Sequence, residues 1–384
     1  MKAEYLPGNA ITLLETGDAY FPALLAAIDA AQQEFHLETY IFEADATGRA
    51  VANALCRAAL RGVAVRVMVD GFGAPNFTTS LRPLLEAAGV QVLIYRPEIA
   101  RFRLRRYRLR RLHRKLAVAD GRIAFVGGIN IIDDLGVGHP ETPRYDYAVR
   151  IEGPLLAPIH ASVRQLWGLV AWAGFRLRQP PAAQAVAEAC GTMHAAFLVR
   201  DNLRHRRDIE EAYLKAIRGA HEEIILANAY FLPGLRFRRA LLEAAGRGVH
   251  IVVLLQGRVE YALQHYATQS LYGALLAGGI RIFEYHWSFL HAKVAVVDGS
   301  WATVGSSNID PFSLLLAREA NVAVSDPGFA AELRSSLDAA MKAGARELRH
   351  EDWQRTSWLH RLASRMAYSL VRLMVGVAGY GGRL

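Results

Sequence analysis

Two short segments of the chain carry residue types that can move a phosphoryl group. The first places His113, Lys115, Asp120, Gly127, Gly128 and Asn130 in order; the second places His291, Lys293, Asp298, Gly305, Ser306 and Asn308 at the same intervals. A lone His-x-Lys means little, because the two types meet at this spacing by accident. With typical usage of roughly 5% per residue type, each fixed position costs chance about twentyfold. A gapless match across the whole pattern, occurring twice, is therefore a true repeat. A neutral imidazole is a nucleophile and a protonated one an acid, while ammonium groups and side-chain amides hold an anion as charge develops on it. Residues two apart in a strand share a face, so His113 and Lys115 point one way, as do His291 and Lys293. Brought face to face around one phosphate, one imidazole attacks phosphorus and the other protonates the leaving alcohol. Lys115, Lys293, Asn130 and Asn308 would then grip the phosphoryl oxygens. Cationic side chains take the place a divalent ion would fill, so neither a metal nor a cofactor is expected.

The elements that must position these residues are also written twice. Residues 28–71 and 217–257 each give an alanine-rich helix end, a short apolar strand, a helix stopped by Arg-Gly-Val, and a further apolar strand. Glycine stands where a helix must end and a strand begin. Residues 81–95 and 271–285 add a second helix–strand unit to each half, and 115–128 and 293–306 each pair two apolar runs across an Asp-Gly turn, a hairpin signal. Helices alternating with buried strands argue an α/β architecture. The period is too long for a solenoid. The expected fold is a duplicated α/β domain with two mixed β-sheets flanked by helices, related by a pseudo-twofold with the active site at the interface. Residues 1–180 form the first domain, 181–345 the second and 346–384 a tail, with the seam near the proline pair of 176–196. Within the repeat, Glu38 and Asn228 read as corresponding strand positions, each able to face the phosphate or simply to end a strand.

Composition narrows the partners. The 384 residues are long enough for two cores, and a net charge of +9 favours anionic partners. Two cysteines exclude a disulfide scaffold and a four-cysteine zinc site. The first residues show no signal-peptide pattern, and no run of eighteen apolar residues suggests a spanning helix. A cytoplasmic protein that touches a membrane surface fits these features.

The twin motif resembles the HKD motif of the phospholipase D superfamily, which typically carries it twice. The likeness runs from the Glu38-Thr39-Tyr40-Ile41-Phe42 strand to about residue 325. The segments 144–154 (RYDYAVRIEGP) and 308–324 (NIDPFSLLLAREANVAV) are similar to bacterial cardiolipin synthases, specifically the shorter type without N-terminal membrane helices. The resemblance implies transfer of a phosphatidyl group from phosphatidylglycerol through a phosphohistidine to the glycerol hydroxyl of another lipid. Hydrolysis of phospholipid, or a nucleic-acid phosphodiesterase of the same superfamily, is the alternative. Spacing does not say which histidine attacks; the resemblance favours His113, with His291 as acid and then base. It also puts the carboxylate that orients each histidine downstream of its motif. Asp146, 33 residues past His113, and Glu319, 28 past His291, match that placement. Asp120 and Asp298, though members of the motif, then read as shaping the Asp-Gly turn.

Two segments remain. Residues 101–115 (RFRLRRYRLRRLHRK) hold eight arginines interleaved with apolar residues. Such a run is a solvated face, an anionic membrane contact or a nucleic-acid contact; lipid suits it best and nucleic acid least. The tail, 357–384, is apolar at Leu359, Leu362, Met366, Leu370, Leu373 and Val377, with Arg361, Arg365 and Arg372 between. It is either a helix packed on the core or one lying in a membrane interface. The expected site of action is the cytoplasmic side of the cell membrane, peripherally bound to anionic phospholipid; the sequence does not give the oligomeric state.

Overall fold

A computed structural model describes residues 3–97, 110–133, 143–173, 185, 188–201 and 204–376. The arginine run from 101 to 109, most of the expected seam and the last eight residues lie outside this set.

The first half runs β1 (Leu6–Glu15), α1 (Thr16–Ala30), β2 (Glu34–Thr39), α2 (Ala46–Leu60), β3 (Ala64–Asp70), the short α3 (Phe77–Ser80) and α4 (Arg82–Ala87), β4 (Gln91–Tyr95), β5 (Lys115–Ala119), β6 (Ile123–Gly127), β7 (Tyr147–Glu152) and α5 (Leu156–Ala173). The second repeats the order as β8 (Met193–Arg200), α6 (Asp208–Gly219), β9 (Glu223–Asn228), α7 (Leu235–Gly246), β10 (His250–Gln256), α8 (Ala262–Gln269), α9 (Tyr272–Ala277), β11 (Arg281–Tyr285), β12 (Lys293–Val297), β13 (Trp301–Gly305), α10 (Pro311–Leu315), β14 (Glu319–Ser325) and α11 (Pro327–Gly344). β15 (Ala345–Leu348), α12 (His350–Arg355) and α13 (Trp358–Val375) follow without counterpart.

Each half builds one mixed sheet, with order β1-β7-β6-β5-β2-β3-β4 in the first and β8-β14-β13-β12-β9-β10-β11 in the second. β2, β3 and β4 are parallel, as helical crossovers require; β5 pairs antiparallel with β2, and β6 antiparallel with β5. The edges β1 and β8 pair across the halves, joining the two sheets into one run of strands. The sheets also stack: Leu116, Val126 and Val149 of the first share a single buried cluster with Ala227, Val294 and Val304 of the second. Each sheet keeps a separate core beneath its outer helices. Strands buried on both faces need continuous apolar runs, which is why the motif strands read as KLAVA and KVAVV with so little alternation.

Polar contacts tighten the seam. The hydroxyls of Tyr145 and Tyr147 lie 3.0 and 2.7 Å from Ser336 Oγ on α11, which donates to Glu15 at 2.5 Å. The pseudo-twofold is visible in the backbone, where Leu112 bridges Arg318 and Tyr145 bridges Leu290.

Candidate active site

The twofold bridges bring both motifs to one place. His113 N donates to Arg318 O at 2.9 Å, and His291 N to Tyr145 O at 2.8 Å. Each lysine opens its strand and curls back to the carbonyl of its own histidine, Lys115 at 2.6 Å and Lys293 likewise. The members of each pair thus share a side, as their two-residue spacing predicts.

The two carboxylates expected to orient the histidines each contact one, but crossed. Glu319 of the second half lies 3.0 Å from Nδ1 of His113, and Asp146 of the first half lies 2.6 Å from Nδ1 of His291. The sequence places each carboxylate downstream of its own motif; in the fold each serves the other one. The reason is topological. Asp146, just before β7, and Glu319, the first residue of β14, each follow a bridge to the opposite half, which carries their side chains across the pseudo-twofold. With Nδ1 engaged in both histidines, Nε2 is the nitrogen left to react.

The motif glycines make room for this crossing. A Cβ on Gly128 would lie 2.3 Å from Asp146 Oδ1. Ser306 occupies the equivalent place in the second half, and its hydroxyl donates to Glu319 at 2.6 Å. Tyr147 N donates to Asp146 at 2.8 Å, so both carboxylates are held from behind.

Burial governs the charges. It pushes His113 below the ordinary imidazole value, with Lys115 and Lys293 adding to the effect and Glu319 opposing it. His291 is driven further down, by burial first and then by Lys293, Arg144, Lys115 and His113. Burial lowers Lys115 to about 7 and Lys293 to about 8, despite nearby carboxylates. The contacts of Glu319 with His113, and of Asp146 with His291 and Lys293, draw these groups together from both halves. A pocket that resists its own positive charges is poised for an anion, which would restore them.

Asp120 and Asp298 are remote from this chemistry. Asp120 accepts from the backbone N–H of Gln32, Gln33 and Glu34, each at 2.8 Å. Asp298 accepts from His221 and Glu222 at 2.9 Å and Glu223 at 3.0 Å. In each half the motif aspartate ties the hairpin to the entry of the neighbouring parallel strand. Each also takes the first central position of its hairpin turn, with φ of 51° and 49°, followed by glycine at 60° and 56°. Two successive positive φ values are what a type I′ turn demands.

The asparagines behave differently in the two halves. Asn130 Oδ1 accepts from Ile41 N at 3.2 Å, which aims its amide N–H2 away from that strand. Asn308 has no such anchor; its Oδ1 is buried without a partner. Asn228 takes over, accepting from Ile309 N at 3.0 Å and leaving a buried Nδ2 unpartnered. Sequence reading left Asn228 outside the site and matched it to Glu38. Strand register corrects this: Lys293 faces Asn228 and Val294 faces Ala227, while Leu116 faces Glu38, so Asn228 corresponds to Thr39 and Glu38 to Ala227. Glu38 is committed to a buried ion pair with Arg114.

The same register sets Tyr40 opposite Ala229. Tyr40 packs edge-on to His113 at 4.9 Å and lies 5.4 Å from Lys115 Nζ; the second half offers only a methyl group there. On that side Arg144, which sequence reading missed, is buried over the Phe289 ring at 4.7 Å, with its Nε unpartnered. Its signal was present: it stands two residues before Asp146, on the same face of an extended segment.

Among the described residues, Glu34, His36 and His160 form a cluster with metal-ligand chemistry. Arg66 already fills it, 2.9 Å from Glu34 and 3.1 Å from His36. The cluster reads as a buried ion-pair network.

Comparison with known proteins gives a consistent result. Residues 24–165 and 213–341 match the family described as "Cardiolipin synthase, PLD-like domain". Cardiolipin synthase B of Escherichia coli is 38% identical over 99% of this chain and 92% of its own length. Cardiolipin synthase A of Pseudomonas putida is 32% identical over 94% of this chain and 74% of its own. Phosphatidylserine synthase of Haemophilus influenzae superposes with a TM-score of 0.76 at 11% identity, covering 99% of this chain and 97% of that one. At that identity the last likeness shows a shared fold.

Proposed function

The chain belongs to the phospholipase D-like cardiolipin synthase family, and on that premise we propose that it joins two molecules of phosphatidylglycerol into cardiolipin, releasing glycerol. The observation that carries the chemistry is the single pocket in which two carboxylate-held imidazoles and two buried lysines converge from opposite halves. His113 Nε2 attacks phosphorus, and the bond to the headgroup glycerol breaks. His291 gives that oxygen its proton. The phosphatidyl group is then held on His113. His291, now neutral, takes the proton of a glycerol hydroxyl on a second phosphatidylglycerol, whose oxygen displaces His113 and forms the new diester. Lys115, Lys293, Asn130 and Asn308 hold the non-bridging oxygens, joined by Asn228 and Arg144. Glu319 and Asp146 stabilise the imidazolium forms and fix the tautomers. No residue in this scheme calls for a metal or cofactor.

No helix of the described residues is long and apolar enough to cross a membrane. The family and the net charge of +9 support peripheral binding at the cytoplasmic side of the cell membrane. The test is incubation with phosphatidylglycerol vesicles, with the lipid products separated and free glycerol assayed. Cardiolipin and glycerol in equal amounts are expected. Glycerol with phosphatidic acid alone would make the enzyme a hydrolase. Neither lipid product, beside cleavage of single-stranded DNA, would overturn the reading in favour of a nuclease.

A further inference from the structure

α13 is a helix turned inside out. Its buried residues are Ser364, Ala367, Val371 and Val375, small or β-branched side chains at spacings of three and four. Through them it seats on α8. Its large apolar residues face the other way: Leu359, Leu362, Met366, Leu370 and Leu373 are between 46% and 65% exposed. A helix stabilised by packing on its own protein buries its large side chains and exposes its small ones. Eighteen residues make a rod of roughly 27 Å, so this stripe is a long apolar surface, of the kind that marks an interaction site.

Charge identifies what covers it. Arg361, Arg365 and Arg372 follow one another at spacings of four and seven along one flank, all exposed, and the helix carries no acidic residue. A second copy of the chain would bring the same arginines against them. An anionic surface would not. The helix also sits in the right place. It rests on α8, whose residues Gln264, His265 and Thr268 line a small surface cleft together with Tyr230, Gln256 and Tyr261. Tyr230 follows Asn228 by two residues, and Ala229 N donates to Ala292 O between the second motif's histidine and lysine. The cleft therefore opens beside the catalytic pocket. Its rim carries further exposed apolar groups, Val259 and Tyr261, with Trp287 attached through Arg258, which donates to the Trp287 carbonyl at 2.8 Å.

We propose that the outer face of α13 is the membrane-docking surface of this enzyme: it lies in the interface of an anionic bilayer, with Leu359, Leu362, Met366, Leu370 and Leu373 among the acyl chains and the arginine flank at the headgroups. This rests on the reading of the substrate as a bilayer phospholipid, and it adds how the catalytic cleft is brought to that substrate. A helix lying flat in the interface needs both an apolar face and basic residues, and each basic side chain near an anionic leaflet strengthens binding.

The test is sedimentation of the full chain with vesicles of phosphatidylcholine containing phosphatidylglycerol, and with phosphatidylcholine alone. The parent protein is expected to bind the anionic vesicles. Leu362→Glu/Met366→Glu should weaken that partition more than about tenfold, with thermal stability unchanged because both residues are exposed. The milder Leu370→Ser/Leu373→Ser gives the same direction without adding charge. Arg361→Gln/Arg365→Gln/Arg372→Gln should lose the preference for anionic vesicles. Turnover of long-chain phosphatidylglycerol in vesicles should fall with binding, while turnover of monomeric dihexanoyl-phosphatidylglycerol stays at the parent's rate. Unchanged sedimentation of the two apolar variants would overturn the proposal, as would their conversion from dimer to monomer with vesicle binding intact, which would assign the stripe to a second copy. A parent that turns over neither lipid yet binds vesicles through α13 would count against the functional reading and leave the docking surface standing.

Discussion

Glu319 lies 3.0 Å from Nδ1 of His113, although 206 positions separate them in the chain. Asp146 and His291 make the reciprocal contact at 2.6 Å. The carboxylate that meets each imidazole therefore comes from the half that does not carry it.

Removing the charge of either carboxylate while keeping its shape should slow turnover strongly. Glu319→Gln and Asp146→Asn are each expected to lower kcat by about 10² to 10⁴, the range for losing an orienting carboxylate or an acid–base contribution. KM and thermal stability should change little. A loss smaller than threefold in either variant would show that the contact is only structural.

The two histidines should separate when the leaving group no longer needs a proton. With a p-nitrophenyl ester of phosphatidic acid, His291→Ala should still release p-nitrophenol in a burst, because attack by His113 is intact. His113→Ala should release none. The opposite pattern would reverse the assignment of nucleophile and acid. By the same logic this substrate should rescue Asp146→Asn and leave Glu319→Gln slow.

The motif aspartates should matter for folding and little for chemistry. Asp120→Ala or Asp298→Ala strips partners from three backbone N–H groups, a loss of about 1–3 kcal/mol in stability. The kcat of the folded fraction should stay within a few-fold of the parent's. Loss of activity in well-folded protein at low temperature would return them to the catalytic machinery.

The buried lysines give the empty enzyme a distinctive pH response. Lys115 at about 7 and Lys293 at about 8 lie below the unfolded value of about 10.4. Between those values the unfolded chain binds more protons than the folded one, so this contribution to stability rises with pH from about 7 to about 10. Lys115→Met/Lys293→Met should flatten the rise in Tm across that window. Inorganic phosphate, which needs the protonated lysines, should stabilise the parent more at pH 7 than at pH 10. A parent whose Tm is equally insensitive to pH with and without the lysines would contradict the depressed values.

What the sequence disclosed was local. The hairpins were legible because Asp120-Gly121 and Asp298-Gly299 must take two positive φ values, and few residue pairs do so cheaply. The same-side placement of His113 with Lys115 follows from strand geometry alone. What it concealed was long-range. Nothing in the spacing of Asp146 from His113 reveals that the seam carries the carboxylate to the other histidine. The mismatch of Glu38 with Asn228 arose because similar strand ends allow a one-residue slip, and a slip of one inverts every side chain. The tail was ambiguous for a related reason: its pattern marks two faces, and only packing tells which one the protein claims. Small residues won the protein side.

Tyr40 beside His113, and Ala229 in the corresponding place, have a consequence for the direction of the reaction. Two identical half-sites would be degenerate: either imidazole could take the phosphorus, and a bound diester would have two equivalent ways to lie. An aromatic wall on one side and a buried guanidinium, Arg144, on the other lift that degeneracy. The duplicated fold thus supplies matching tools, and in the cycle proposed above these unmatched neighbours would set which histidine moves first.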